Sequence, residues 1–234
     1  MLFILDPNNP NEKFPPVEQA EREPDGLLAI GGDLSATRLL NAYRSGIFPW
    51  YNDDQPILWW SPDPRTVLFP KQFKASRSLR KDIRNSNLSI TIDQAFAEVV
   101  TSCAAPRQNQ TDTWITQEMH RAYLELFHHG DAHSVEVWDE GKLVGGLYGV
   151  AIGRVFFGES MFSRRDNASK IALLNLCEKL IAWDYELIDC QIYTEHLSSL
   201  GAQEIPRSEF SKLLGAFCST KPNANSWQTA RSRS

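Results

Sequence analysis

A chain of 234 residues, 42% of them hydrophobic and 23% charged, holds enough apolar material for one large or two modest buried cores. The net charge of -5 argues against a protein that wraps long nucleic acid, while leaving room for a local basic patch. No run approaches the ~18 apolar residues that span a bilayer, and the opening MLFILDPNNP is broken by Asp6 and Pro7, so a cytoplasmic protein without a signal peptide is expected.

In chain order, a Pro-, Asn- and Glu-rich opening gives way after Pro24 to DGLLAIGGDLS, an apolar run closed by a Gly-Gly turn. Ser35 caps a predicted helix through Tyr43, with Gly46 just past its end as a stop. GIFPWYNDDQPILWWSPDPR reads as a fixed loop, because Pro49, Pro56, Pro62 and Pro64 each remove a backbone donor. Trp59 and Trp60 read as core filler; Trp50, beside a proline, reads equally as a platform for a flat ligand. In KASRSLRKDIR, Arg77, Lys81 and Arg84 recur at helical spacing with Arg80 beside them, so one helix face is cationic.

From Ser89 the pattern changes. LSITID is a predicted strand, QAFAEVVTSCA a helix, and WITQEMHRAYLELFHHG a second helix capped by Thr116 and stopped by Gly130. Three strands of a meander follow: HSVEVW, LVGGLYGVAI and VFFGESMFS. Asn167 or Ser169 opens the helix SKIALLNLCEKLIAW, expected to bury Ile171, Leu174, Cys177 and Leu180 or Ile181. ELIDCQIY is a strand, RSEFSKLLGAF a last helix, and STKPNANSWQTARSRS a loose tail. Cys103, Cys177, Cys190 and Cys218 show no CxxC spacing and the histidines no ligand cluster, so no metal is assigned and the thiols are expected to be reduced.

This order describes an α/β protein with a mixed sheet and a crossover helix, and it resembles the acetyltransferase-like (GNAT) fold. The turn that would hold a coenzyme A pyrophosphate reads SRRDNAS, without glycine, so no cofactor is expected. The expected division is a small N-terminal domain, residues 1–64, before a catalytic domain, residues 65–234.

Within the meander, strict alternation sends Phe157, Glu159 and Met161 to one face. A carboxylate among such neighbours costs several kcal/mol, about 2–7 even for a neutral polar group, unless it is partnered. In ELIDCQIY the same alternation places Asp189 and Gln191 on one side, within reach of a side-chain hydrogen bond. Three polar groups on adjacent strand segments therefore converge, and a cation is expected to meet Glu159 there.

GIFPWY, WWSPDPR, TWIT, HSVEVW, GESMFSR, NASK and LIDCQ, in this order and spacing, resemble the leucyl/phenylalanyl-tRNA–protein transferases over most of the chain. The resemblance implies transfer of Leu or Phe, and also Met, from aminoacyl-tRNA to a protein whose first residue is Arg or Lys, which marks that protein for degradation. It implies that Asp189 orients Gln191 and that Gln191 accepts a proton from the attacking amine; a neutral amide is a feeble base, so positioning the amine is physically easier for Gln191, and Glu159 then suits holding the α-ammonium or cationic side chain of the acceptor. It also places Trp50, Trp114 and Thr194 at the tRNA 3′ end. Leu147, Phe156, Gly158, Leu173, Leu180 and Ile188 fall at the side-chain pocket, and the stripe Arg77, Arg80, Lys81 and Arg84 gains acceptor-stem phosphates as a partner. An aminoacyl ester is already activated, so neither ATP, metal nor coenzyme A is called for. Two other readings compete: a non-catalytic module recognising N-terminal Arg or Lys through Glu159, and a coenzyme A-dependent N-acetyltransferase, which the glycine-free turn disfavours.

Overall fold

Two sheets organise the chain, and the residues between them set the site. A computed structural model of the chain describes residues 2–105, 116–223, 226 and 227. The first sheet has the order β1-β2-β4-β3, built from β1 (Phe3–Leu5), β2 (Leu27–Gly31), β3 (Phe48–Pro49) and β4 (Leu58–Trp60). Between β2 and β3 runs α1 (Ala36–Arg44), whose N-cap Ser35 accepts from the Arg38 backbone N–H, as its sequence foretells. The Trp- and Pro-rich segment is thus not a strandless loop. Pro49 is tolerated because β3 is an edge strand, where a missing N–H removes no interior ladder bond.

The second sheet has seven strands in the order β11-β5-β10-β9-β8-β7-β6. They are β5 (Arg65–Leu68), β6 (Ser89–Ile92), β7 (Ala132–Asp139), β8 (Lys142–Ile152), β9 (Val155–Ser163), β10 (Leu187–Gln191) and β11 (Gln203–Ile205). The expected meander is present as β7, β8 and β9, joined antiparallel. One face carries α3 (Phe96–Ala104), α4 (Gln117–His129) and α7 (Arg207–Phe217), packed with α1 and the first sheet into one apolar cluster. The other face carries α2 (Arg77–Asn85) and α5 (Ala168–Ala182).

Thr116 caps α4 by accepting from the Met119 N–H at 3.2 Å, and Gly130 ends it in the left-handed region. On α5 the buried positions are Ile171, Ala172, Leu173, Leu176, Cys177 and Leu180. Ile171, Cys177 and Leu180 are buried as expected, whereas Leu174 is only half-buried and Ile181 lies 39% exposed. A short helix, α6 (Glu195–Ser199), follows β10 and escaped sequence reading, as did β5 and β11. The tail is not loose throughout: Trp227 is buried, stacks on His133 at 3.9 Å between ring centroids, and donates from Nε1 to the Tyr185 hydroxyl at 2.8 Å.

Candidate active site

The parallel pair β9 and β10 is in register only at Leu187–Val155, Ile188–Phe156 and Asp189–Phe157. Beyond that point β9 continues beside β8 alone and β10 beside β5 alone, so the two strands part. Each carries a bulge where they part. Tyr148 lies opposite Ser160 and Gly149 opposite Gly158, which leaves Glu159 as the extra residue of β9. Asp189 lies opposite Val67 and Gln191 opposite Thr66, which leaves Cys190 extra in β10.

A bulge re-aims side chains and breaks the period of two. Accordingly Phe157 and Phe162 enter the cluster under α3 and α4, while Phe156 and Met161 pack on the α5 side. The alternation expected for Phe157, Glu159 and Met161 is therefore reversed once, at Glu159. Gly149 makes room for this: a Cβ there would lie 2.1 Å from the Phe157 carbonyl oxygen.

Glu159 is 7% exposed. The Tyr123 hydroxyl donates to Oε2, and Gln191 Nε2 donates to Oε1 at 3.0 Å. The Tyr43 hydroxyl lies 2.8 Å from that of Tyr123, which ties α1 to the carboxylate. Burial outweighs these bonds and pushes the Glu159 carboxyl up to about 7. Among the described residues no cationic side chain bonds Glu159, and the nearby guanidinium is committed to Asp189: Arg65 Nε and Nη2 clasp it at 2.8 and 2.7 Å, with both side chains out of solvent. The Tyr148 hydroxyl, also buried, has no hydrogen-bond partner among the described residues.

Asp189 acts on Gln191 through the backbone. Its Oδ1 accepts the Gln191 backbone N–H at 2.9 Å, rather than a side-chain donor. That bond holds Gln191 at φ +64, a left-handed conformation that a non-glycine residue seldom adopts. The side chain then swings toward β9. In its ionised form a carboxylate offers only acceptors, so it takes the NH2 end of the amide, and Gln191 Oε1 meets no donor among the described residues.

The other expected positions separate into groups. Leu147, Phe156, Leu173, Leu180 and Ile188 fall in a single apolar cluster on the α5 side. Gly158 adjoins it, and a Cβ at that position would sit 3.3 Å from the Asp189 carbonyl oxygen and 3.9 Å from Ile188 Cγ2. Trp50 is 42% exposed with its ring 5.8 Å from that of Trp60, whereas Trp59 is wholly buried. Thr194 uses its Oγ1 to cap α6, accepting from the Leu197 N–H at 3.1 Å. Arg77, Arg80, Lys81 and Arg84 all lie exposed on α2, whereas Trp114 lies outside the described residues.

Sequence reading missed Arg65, Tyr43 and Tyr123; the one available signal was that a buried carboxylate at Glu159 demands donors from elsewhere in the chain. Where the first sheet meets α4, a cavity of about 530 Å³ is lined by Tyr51, Asp53, Gln55, Thr116 and Glu118, among others.

The family model for the leucyl/phenylalanyl-tRNA protein transferase matches residues 67–215, and that for its N-terminal domain matches residues 32–63. The transferase of that name from Pseudomonas syringae pv. syringae is 58% identical over 93% of this chain and 95% of its own length. That of Methylococcus capsulatus is 53% identical over 98% of both. Among solved structures, a GCN5-related N-acetyltransferase from Kribbella flavida aligns with TM-score 0.38 and 10% identity over 70% of this chain and 58% of its own, too distant to bear on function. Matched from end to end by relatives of one name, the chain belongs to the leucyl/phenylalanyl-tRNA–protein transferase family.

Proposed function

We propose that this enzyme moves Leu or Phe, and also Met, from aminoacyl-tRNA to proteins that begin with Arg or Lys, marking them for degradation. The observation that carries the mechanism is the amide of Gln191, fixed at both ends: its backbone by Asp189, its NH2 by Glu159. Oε1 is left to accept from the attacking α-amine. A neutral amide is a good acceptor and a feeble base, so Gln191 aligns the amine, and the proton leaves through the ester's own 2′-hydroxyl or a water. Alignment of two bound reactants supplies about 7–11 kcal/mol at the upper end, and the ester brings its own activation. Glu159, with its oxygens engaged by Tyr123 and Gln191, serves to turn the amide rather than to bind the acceptor's charge.

In this reading residues 1–64 and 65–234 act as two units that meet at the site, the first supplying Tyr43 and Trp50. Trp50, with Trp114 and Thr194, receives the terminal adenosine, where stacking is worth about 1–3 kcal/mol per base. The apolar cluster of Leu147, Phe156, Leu173, Leu180 and Ile188, with Gly158, receives the Leu or Phe side chain. The stripe on α2 meets acceptor-stem phosphates. A transfer assay with Leu-, Phe- and Met-tRNA, against peptides that vary only in the first residue, tests the whole reading. Transfer confined to peptides starting with Arg or Lys is expected; transfer indifferent to that residue refutes the acceptor assignment.

A further inference from the structure

We infer that Arg65 is a positioning residue for the reaction, acting through Asp189 on the backbone of Gln191. Arg65 comes from β5, not from either strand that carries the polar triad. Nε and Nη2 grip the two oxygens of Asp189 in a two-pronged fork, and Oδ1 also accepts the Gln191 N–H. The guanidinium carbon lies 4.7 Å from the centre of the Phe48 ring and 4.8 Å from that of Phe210, and these contacts restrain it. Phe48 belongs to β3 of the first sheet and Phe210 to α7, and three parts of the chain therefore fix one cation.

Stability alone is a poor reason for this arrangement. A fully buried ion pair is often replaceable by apolar side chains without loss. Here the pair also leaves Arg65 Nη1 buried with no partner among the described residues, and Thr66 Oγ1, on the residue opposite Gln191, is in the same state. Unmet buried donors are a cost tolerated where geometry matters. What the fork delivers is a carboxylate that cannot rotate, and only a fixed carboxylate keeps Gln191 at its left-handed φ. If Asp189 turned, the Gln191 N–H would lose its acceptor, the backbone would relax toward an extended strand, and the amide would leave Glu159.

The inference rests on the transferase reading for its turnover readout but not for its structural one. The test compares wild-type enzyme with Arg65→Lys, which keeps the charge and loses the fork, and with Arg65→Gln, which keeps one donor and removes the buried charge should the lysine variant fail to fold. Three quantities are measured: kcat and KM for aminoacyl-tRNA, melting temperature, and hydrogen exchange of the Gln191 backbone amide. The expected result is a kcat lower by about a hundredfold with KM for aminoacyl-tRNA unchanged within about twofold. Gln191 amide exchange is expected to accelerate at temperatures where the variant is still folded. Wild-type kcat with unchanged Gln191 exchange in a folded variant overturns the inference, as does a loss of activity that only tracks the folded fraction. Absence of transfer by the wild-type enzyme would instead count against the transferase reading, and the exchange measurement would still decide the role of Arg65.

Discussion

Glu159 carries a proton to higher pH in the folded protein than an exposed glutamate does, and that difference is a statement about stability. Its ordinary value is 4.5 and burial raises it to about 7. The native state therefore binds more protons than the unfolded state between those values, and stability falls as pH rises through that window and levels off above it. The loss amounts to about 3 kcal/mol at most. Glu159→Gln removes the titration, so denaturation curves at pH 5 and pH 8 should show the wild-type protein losing stability at the higher pH and the variant losing much less.

The same residue shows what a sequence conveys at this scale. A lone carboxylate among Phe and Met announces a special environment, and Asp189 and Gln191 are near neighbours on the adjacent strand. The identity of the partners was hidden, because Arg65 reaches Asp189 across 124 positions of sequence and Tyr123 reaches Glu159 across 36. No local pattern encodes a contact of that span.

Among elements, helices were the most legible, since their end signals are single residues with a mechanism: Ser35 and Thr116 at N-caps, Gly130 at a C-terminus. Of the strands of two to four residues, β3, β4, β5 and β11 gave no period to read, whereas β6 was legible from its run of β-branched residues. The bulges at Glu159 and Cys190 were invisible for a different reason: period-two reasoning assumes the very regularity a bulge suspends. The convergence of Glu159 and Gln191 was anticipated, but through alternation that the structure breaks in both strands.

The helix α2 illustrates an element whose surface is readable and whose partner is not. Its N-cap Ser76 accepts from the Leu79 N–H at 3.1 Å, Leu79 anchors it, and four cations face outward. Arg77→Glu with Lys81→Glu should leave the melting temperature unchanged, because exposed charges add little to stability. The double variant should raise the KM for aminoacyl-tRNA and flatten its dependence on salt, each lost phosphate contact lowering the slope by about 1. An unaltered salt slope would identify the stripe as solvated surface.

At the scale of the whole molecule, the two apolar clusters on opposite faces of the large sheet follow from its interior strands being covered on both sides. No described helix is long and apolar enough to cross a membrane. The tail contributes to the second cluster through Trp227, which packs against His133, Phe156, Trp183 and Tyr185. A single aromatic residue in a polar, Asn- and Ser-rich stretch gave no pattern to read, so its burial could be learned only from the fold. Trp227→Ala should cost about 3–5 kcal/mol in urea unfolding, the usual range for emptying a buried tryptophan site.

The hydroxyl behind Tyr123 and the ring beneath Arg65 belong to α1 and β3, while the carboxylate and amide they serve belong to the larger sheet. Cutting the polypeptide near Pro64 would therefore leave a fragment with every polar reacting group and none of their scaffolding from the amino-terminal side. Such a fragment, freed of residues 1–64, would be silent rather than unregulated.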